Sequence, residues 1–162
     1  MWARCIVAQA GIVRGDLVLD VGAGTGALTA ELVLAGAYVI AIEVHPDRLA
    51  HLRARFDANV RVVRADAADL RLPLRPFKVV ANPPFGVTSA LTSRLVHPGS
   101  RMISADLVVQ EQAAHRWIGP RAPAARRWQQ SYRATLGQRV PRHAFHPQPH
   151  VDARMLVIRR RR

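Results

Sequence analysis

The sequence predicts an α/β protein: a Rossmann-like doubly wound sheet, mostly parallel, with an antiparallel strand at its C-terminal end. Three observations lead there. Short Val- and Ile-rich runs alternate with longer amphipathic stretches through the first two thirds of the chain. A glycine turn, "GAGTG" at residues 22–26, joins the first apolar run to the first helical stretch. After Gly119 the pattern changes to two β-rich runs separated by a proline-studded loop, for which an antiparallel pair at one sheet edge is the economical arrangement.

The elements follow in order. "LVLDVG" (17–22) is a strand, Ala27 to Ala35 a helix, "YVIAIEV" (38–44) a strand, Pro46 to Phe56 a helix and "VRVVRAD" (60–66) a strand. Pro46 sits where a first-turn proline is tolerated, and Leu49, Leu52 and Phe56 recur at helical spacing. "KVVANPP" and "DLVVQ" supply two more strands, with "GVTSALTSRLV" as the helix between them and Thr88 or Ser89 as its N-cap. Such runs point to a sheet buried on both faces. "PRAPAARRWQQ" reads as a loop or short helix, and "SYRATLGQRV" and "ARMLVIRR" as the antiparallel strands. The terminal Arg159 to Arg162 run is expected to be disordered or to touch phosphate.

A chain of 162 residues fits one domain that buries roughly two thirds of its unfolded surface. We therefore read 1–162 as a single catalytic domain. Cys5 is the only cysteine, which excludes an internal disulfide and a cysteine-based zinc site. The N-terminus lacks a secretory pattern, and the uncharged apolar stretch Leu32 to Ile42 falls short of the roughly 20 residues that span a bilayer. A cytoplasmic monomer without membrane attachment is the expectation. The net charge of +13 is concentrated: residues 115–162 carry twelve Arg against Asp152 alone. Arginine at that density faces nucleic-acid phosphate more readily than it serves as a merely solvated surface.

The glycine turn lets the backbone approach a ligand closely at Gly22, Gly24 and Gly26. Glu43 stands 21 residues after Gly22, where a carboxylate in such a sheet accepts hydrogen bonds from ribose hydroxyls. The spacing is Gly-x-Gly-x-Gly, tighter than a dinucleotide loop, and Asp20 precedes it. An acid there repels pyrophosphate and suits an amino group. The pattern resembles the S-adenosyl-L-methionine loop of class I methyltransferases, with Ala23, Leu28 and Val44 as further cofactor neighbours. Asp66 and the Ala67 amide would then meet the adenine ring; a plain helix cap is the other reading of Asp66.

"ANPPF" ends the fourth strand on a rigid corner, at the sheet edge where open parallel sheets bind ligands. The lone pair of an adenine N6 is delocalised into the ring, so its two N–H groups must be held before it attacks a methyl carbon. The Asn82 side-chain oxygen and the Pro83 carbonyl are the candidate acceptors, fixed by Pro83 and Pro84. Phe85 offers a stacking face to a base drawn out of its helix. A simple strand-ending turn with Phe85 in the core is the alternative.

With "GDLVLDVGAGTGALT", "AIEVHP", "ADAADL", "VVANPPFGVTSALTSRLV", "DLVVQEQAAHRW" and "AFHPQPHVDARMLVIRR" in place, the chain resembles the ribosomal RNA adenine N6-methyltransferases, and most closely their erythromycin-resistance (Erm) branch. The resemblance implies S-adenosyl-L-methionine as cofactor and an adenine of large-subunit (23S) ribosomal RNA as substrate, met as free RNA or an assembly intermediate. It also implies macrolide resistance as the outcome. It places Phe145 on the face of the adenine opposite Phe85, although packing between Pro147 and the edge strands explains Phe145 nearly as well. The family's N-terminal Gln-x-Phe segment and C-terminal helical domain have no counterpart in these 162 residues. His143, His146 and His150 lack zinc spacing, so no metal is expected. Trp117 and Trp128 flank an arginine-rich stretch, where a core anchor is the commoner role for Trp and base stacking the alternative, and Glu111 reads as a charge at a helix start. A protein side-chain methyltransferase and a non-catalytic RNA-binding module remain as rival readings.

Overall fold

The computed structural model describes residues 2–145, 148 and 150–161. A seven-stranded sheet runs through the chain in the order β3-β2-β1-β4-β5-β7-β6. Its strands are β1 (Leu17–Val21), β2 (Tyr38–Glu43), β3 (Val60–Arg64), β4 (Phe77–Ala81), β5 (Met102–Gln110), β6 (Tyr132–Val140) and β7 (Ala153–Arg160). Neighbours from β3 to β5 pair in parallel, whereas β7 runs against both β5 and β6. The order reverses between β1 and β4, and ligand crevices of open α/β sheets lie at such a switch point.

Among the described residues six α-helices cover the sheet: α1 (Trp2–Gln9), α2 (Ala27–Leu34), α3 (Pro46–Arg55), α4 (Thr88–Leu95), α5 (Glu111–Trp117) and α6 (Ala125–Trp128). Side chains alternate across each strand, and the core is accordingly double. Val18, Val39, Val80 and Val108 meet Ile6 and Val7 of α1 and Leu28 and Leu32 of α2. Leu19, Val79 and Leu107 face the other way, toward Leu91 and Leu95 of α4, Trp117 and Trp128. The two tryptophans are core anchors, 1% and 2% exposed, with ring centroids 6.1 Å apart.

Three local expectations are corrected. Neither Thr88 nor Ser89 caps α4: a 3-10 turn over Phe85–Val87 leads into it, Val87 is the N-cap, and no side chain bonds the end. The chain is already turning at Pro84, which leaves the hydroxyls no extended residue from which to cap. The C-terminal arginines are not a free tail. Arg159 and Arg160 belong to β7, Arg159 donates to Asp106 at 2.9 Å, and the Arg161 amide donates to Ser131 O at 2.8 Å; Arg162 lies outside the described residues. The fifth strand begins at Met102, four residues before the run that announced it. The crossover between β3 and β4 holds a 3-10 turn, Ala67–Asp69, and then irregular chain without an α-helix.

Candidate active site

The glycine turn leaves β1 at the sheet's carboxyl edge. Gly22, Gly24 and Gly26 all take positive φ, at 76°, 58° and 86°, a region costly for any residue with a Cβ. Gly22 and Gly26 each also have a separate neighbour to admit. A Cβ at Gly22 would lie 3.0 Å from Pro84 Cδ, and one at Gly26 would lie 2.6 Å from Phe56 Cε2. The third glycine therefore makes room for α3, and the first for the Asn-Pro-Pro corner.

Both carboxylates behind the turn are buried. Glu43 holds the loop in shape: Oε2 accepts from the Gly24 amide at 2.9 Å, and Oε1 from the Val44 and His45 amides at 2.9 and 3.0 Å. Burial alone would raise its pKa; the amides of His45, Val44 and Gly24 and the Arg48 charge outweigh it and hold Glu43 below the usual carboxylate range. Asp20 is the opposite case. Burial pushes it up to about 7, the nearby Glu43 charge adds to the rise, and hydrogen bonds from Thr29 only partly offset it. Thr29 Oγ1 donates to Asp20 Oδ2 at 2.6 Å, while Oδ1 is buried with no partner among the described residues.

These groups share one cleft of about 590 Å³, lined by Asp20, Gly22, Ala23, Gly24, Thr25, Ala27, Leu28, Glu43, Arg48, Asn82, Pro83, Pro84, Phe85, Ala144 and Phe145. The corner after β4 and the Phe145 segment, 60 residues apart in sequence, thus close the same space. Phe85 and Phe145 both rest, half-buried, on the apolar cluster of α1 and α2. Two larger grooves, of about 830 and 650 Å³, flank the 70–75 stretch. They are lined mainly by Leu, Pro and Arg and contain no carboxylate, whereas both buried carboxylates behind the turn line the smaller cleft.

The structure does not bring every candidate to it. Val44 is exposed, and Asp66, also exposed, accepts the Ala68 amide at 2.8 Å as the cap of the 3-10 turn. Neither they nor Ala67 line the cleft, although the second oxygen of Asp66 is not used by that cap. His146 and Pro147 lie outside the described residues, and among the described residues no three His, Cys, Asp or Glu side chains group as metal ligands. Sequence reasoning missed Thr25, Ala27, Thr29, Arg48 and Ala144. For Arg48 a signal existed: a cation in the first turn of a helix opposes the helix dipole and needs a carboxylate elsewhere, here Glu43 at 3.8 Å.

The donor set fits S-adenosyl-L-methionine. Asp20 Oδ1, an acceptor with no partner among the described residues, matches an ammonium, and a Cβ at Gly24 would meet nothing closer than Gly22 O at 3.9 Å, so the turn is open there.

A parallel sheet with a reversed penultimate strand and a glycine crevice beside an Asn-Pro-Pro-Phe corner defines the class I methyltransferase architecture. The profile of the ribosomal RNA adenine dimethylases matches residues 2–162, and the chain belongs to that family. It is 38% identical over 148 residues to the mycinamicin-resistance protein MyrB of Micromonospora griseorubida, covering 89% of this chain and 47% of that protein. To the ribosomal RNA small subunit methyltransferase A of Thermosynechococcus vestitus it is 35% identical over 171 residues, covering 95% and 63%. The crystal structure of the 23S rRNA methyltransferase ErmE superposes with a TM-score of 0.85 at 28% identity, over 99% of this chain and 67% of that one. The chain spans about half to three fifths of the length of the curated relatives it matches.

Proposed function

We propose that the chain transfers methyl groups from S-adenosyl-L-methionine to adenine N6 of 23S ribosomal RNA, in the cytoplasm and as a monomer, and thereby confers macrolide-type resistance. The observation that carries the proposal is the meeting of Asp20, Glu43, the Asn82–Phe85 corner and Phe145 in one cleft. Bound there, the cofactor supplies an electrophilic methyl carbon. Asp20 binds its ammonium, Glu43 keeps the loop shaped and takes the ribose, and Asp66 and Ala67 take the adenine from outside the cleft proper. Asn82 and the Pro83 carbonyl accept the two N–H groups of the target amine and direct its lone pair, and one proton leaves to solvent. Fixed acceptors of this kind cost no reorganisation during the reaction. Phe85 and Phe145 hold the extruded base between their faces.

A small-subunit target is the second reading, favoured by the similarity to a small subunit methyltransferase at 35% identity. The test is transfer of radiolabelled methyl to purified 23S RNA, 16S RNA and total protein, followed by primer extension across the modified adenines. We expect label in 23S RNA. Label in 16S RNA alone moves the target to the small subunit, and label in protein alone overturns the substrate class.

A further inference from the structure

Where β5 and β6 end and β7 begins, one carboxylate gathers two arginines. Glu111, the first residue of α5, accepts at Oε1 from Arg139 Nε at 3.2 Å and from Arg154 Nη1 at 3.1 Å, with Arg139 Nη2 in ion-pair contact at 3.1 Å. Arg139 is the penultimate residue of β6 and Arg154 the second of β7, and they are register partners across the pair. Between them the chain leaves the sheet at Pro141 and returns at Asp152, and this connection carries Phe145.

Further bonds tie the same connection to the same place. The Glu111 amide donates to Asp152 O at 2.9 Å, and Arg142 Nε donates to Asp152 Oδ1 at 2.7 Å. A 3-10 turn over Arg142–Ala144 then delivers Phe145, whose amide donates to Arg142 O at 3.1 Å. The register of β6 shifts between Leu136 and Arg139. Arg154 Nε donates to Gly137 O at 3.0 Å within that bulge, where a Cβ would lie 2.7 Å from Met155 Cβ. The bulge bends the strand and re-aims the side chains that follow it. Without Glu111, two guanidinium groups would stand side by side at the mouth of the connection with no shared counter-charge.

We infer that Glu111, with Arg139 and Arg154, is a positioning residue that pins both ends of the β6–β7 connection to α5 and so sets Phe145 opposite Phe85. The inference rests on the reading of Phe145 as a face for the target base. Glu111 itself lines no part of the cleft and touches no reacting atom.

The test combines a double-mutant cycle with amide hydrogen exchange on the full chain. Glu111→Gln keeps the shape and removes the charge; Arg139→Ala changes a largely exposed side chain and guards against a folding defect. In either variant, exchange at residues 140–145 and 150–154 should quicken about tenfold while β1 to β4 keep their protection. Turnover should fall about tenfold, with the KM for RNA and the affinity for sinefungin changed less than about twofold. Added to Phe145→Ala, Glu111→Gln should cost nothing more, because both act through one ring. Unchanged exchange in both variants, or losses that multiply with Phe145→Ala, would overturn the inference. A Phe145→Ala variant with full turnover refutes the role of Phe145 itself. If the wild type methylates no RNA, the functional reading fails, and exchange alone decides whether Glu111 pins the connection.

Discussion

Gly22 and Pro84 approach so closely that a single methyl group on the glycine would lie 3.0 Å from the proline Cδ, with Pro83 Cα at 3.3 Å and Asn82 O at 3.4 Å beside it. The glycine turn and the Asn-Pro-Pro corner are thus packed against one another, and the backbone of one sets the position of the other.

Gly22→Ala tests that dependence. The new Cβ is strained twice, by a φ of 76° and by the proline ring, at a cost of about 1–3 kcal/mol. We expect a lower melting temperature and at least about tenfold weaker binding of sinefungin. Thermal unfolding and titration calorimetry measure the two effects. Unaltered affinity would separate the turn from the corner.

Asp20 gives the site a pH dependence. With a carboxyl that titrates at about 7, a ligand ammonium pairs with its ionised form and binding releases a proton. Affinity should rise up to about tenfold per pH unit below 7 and level off above it. The stability of the ligand-free protein runs the other way. An unfolded Asp ionises near 4, so the unfolded chain binds fewer protons between there and about 7, and stability is lost as pH rises through that window. Asp20→Asn should flatten both curves. Calorimetry in buffers of different ionisation enthalpy, and melting temperatures of both proteins from pH 5 to pH 8, check this.

Asn82→Ala removes one fixed acceptor and leaves the cradle of Asp20, Gly22 and Glu43 in place. Loss of a preorganised hydrogen-bond partner costs about 100-fold or more in turnover, while sinefungin affinity should stay within about threefold. Labelled methyl transfer read beside titration distinguishes the two. Equal losses in both would make Asn82 a cofactor ligand rather than an amine acceptor.

Much of the fold was legible because its signals are local. Alternating apolar runs such as Val39, Ala41 and Val18 announce buried strands, and the glycines of the 22–26 turn announce positive φ, since only glycine enters that region without strain. The start of α4 was misread for a related reason. Thr88 has the chemistry of a cap, but the proline corner before it dictates a 3-10 turn, and a rigid neighbour overrides a side-chain preference. Thr29 and Arg48 were missed because their roles exist only once α2 and α3 fold back over β1 and β2.

The sequence by itself determined the strand and helix succession, the glycine turn, the acid at the end of β2 and the Asn-Pro-Pro-Phe corner, because each follows from steric limits or spacing within a few residues. Only the tertiary structure decided that Asp20 is buried beside Glu43 and titrates near neutrality, and that Phe145 closes the cleft from the far edge of the sheet. It also decided that Glu111 gathers arginines from β6 and β7. Those are properties of burial and of contacts between distant segments, and burial exists only after the chain has collapsed around them.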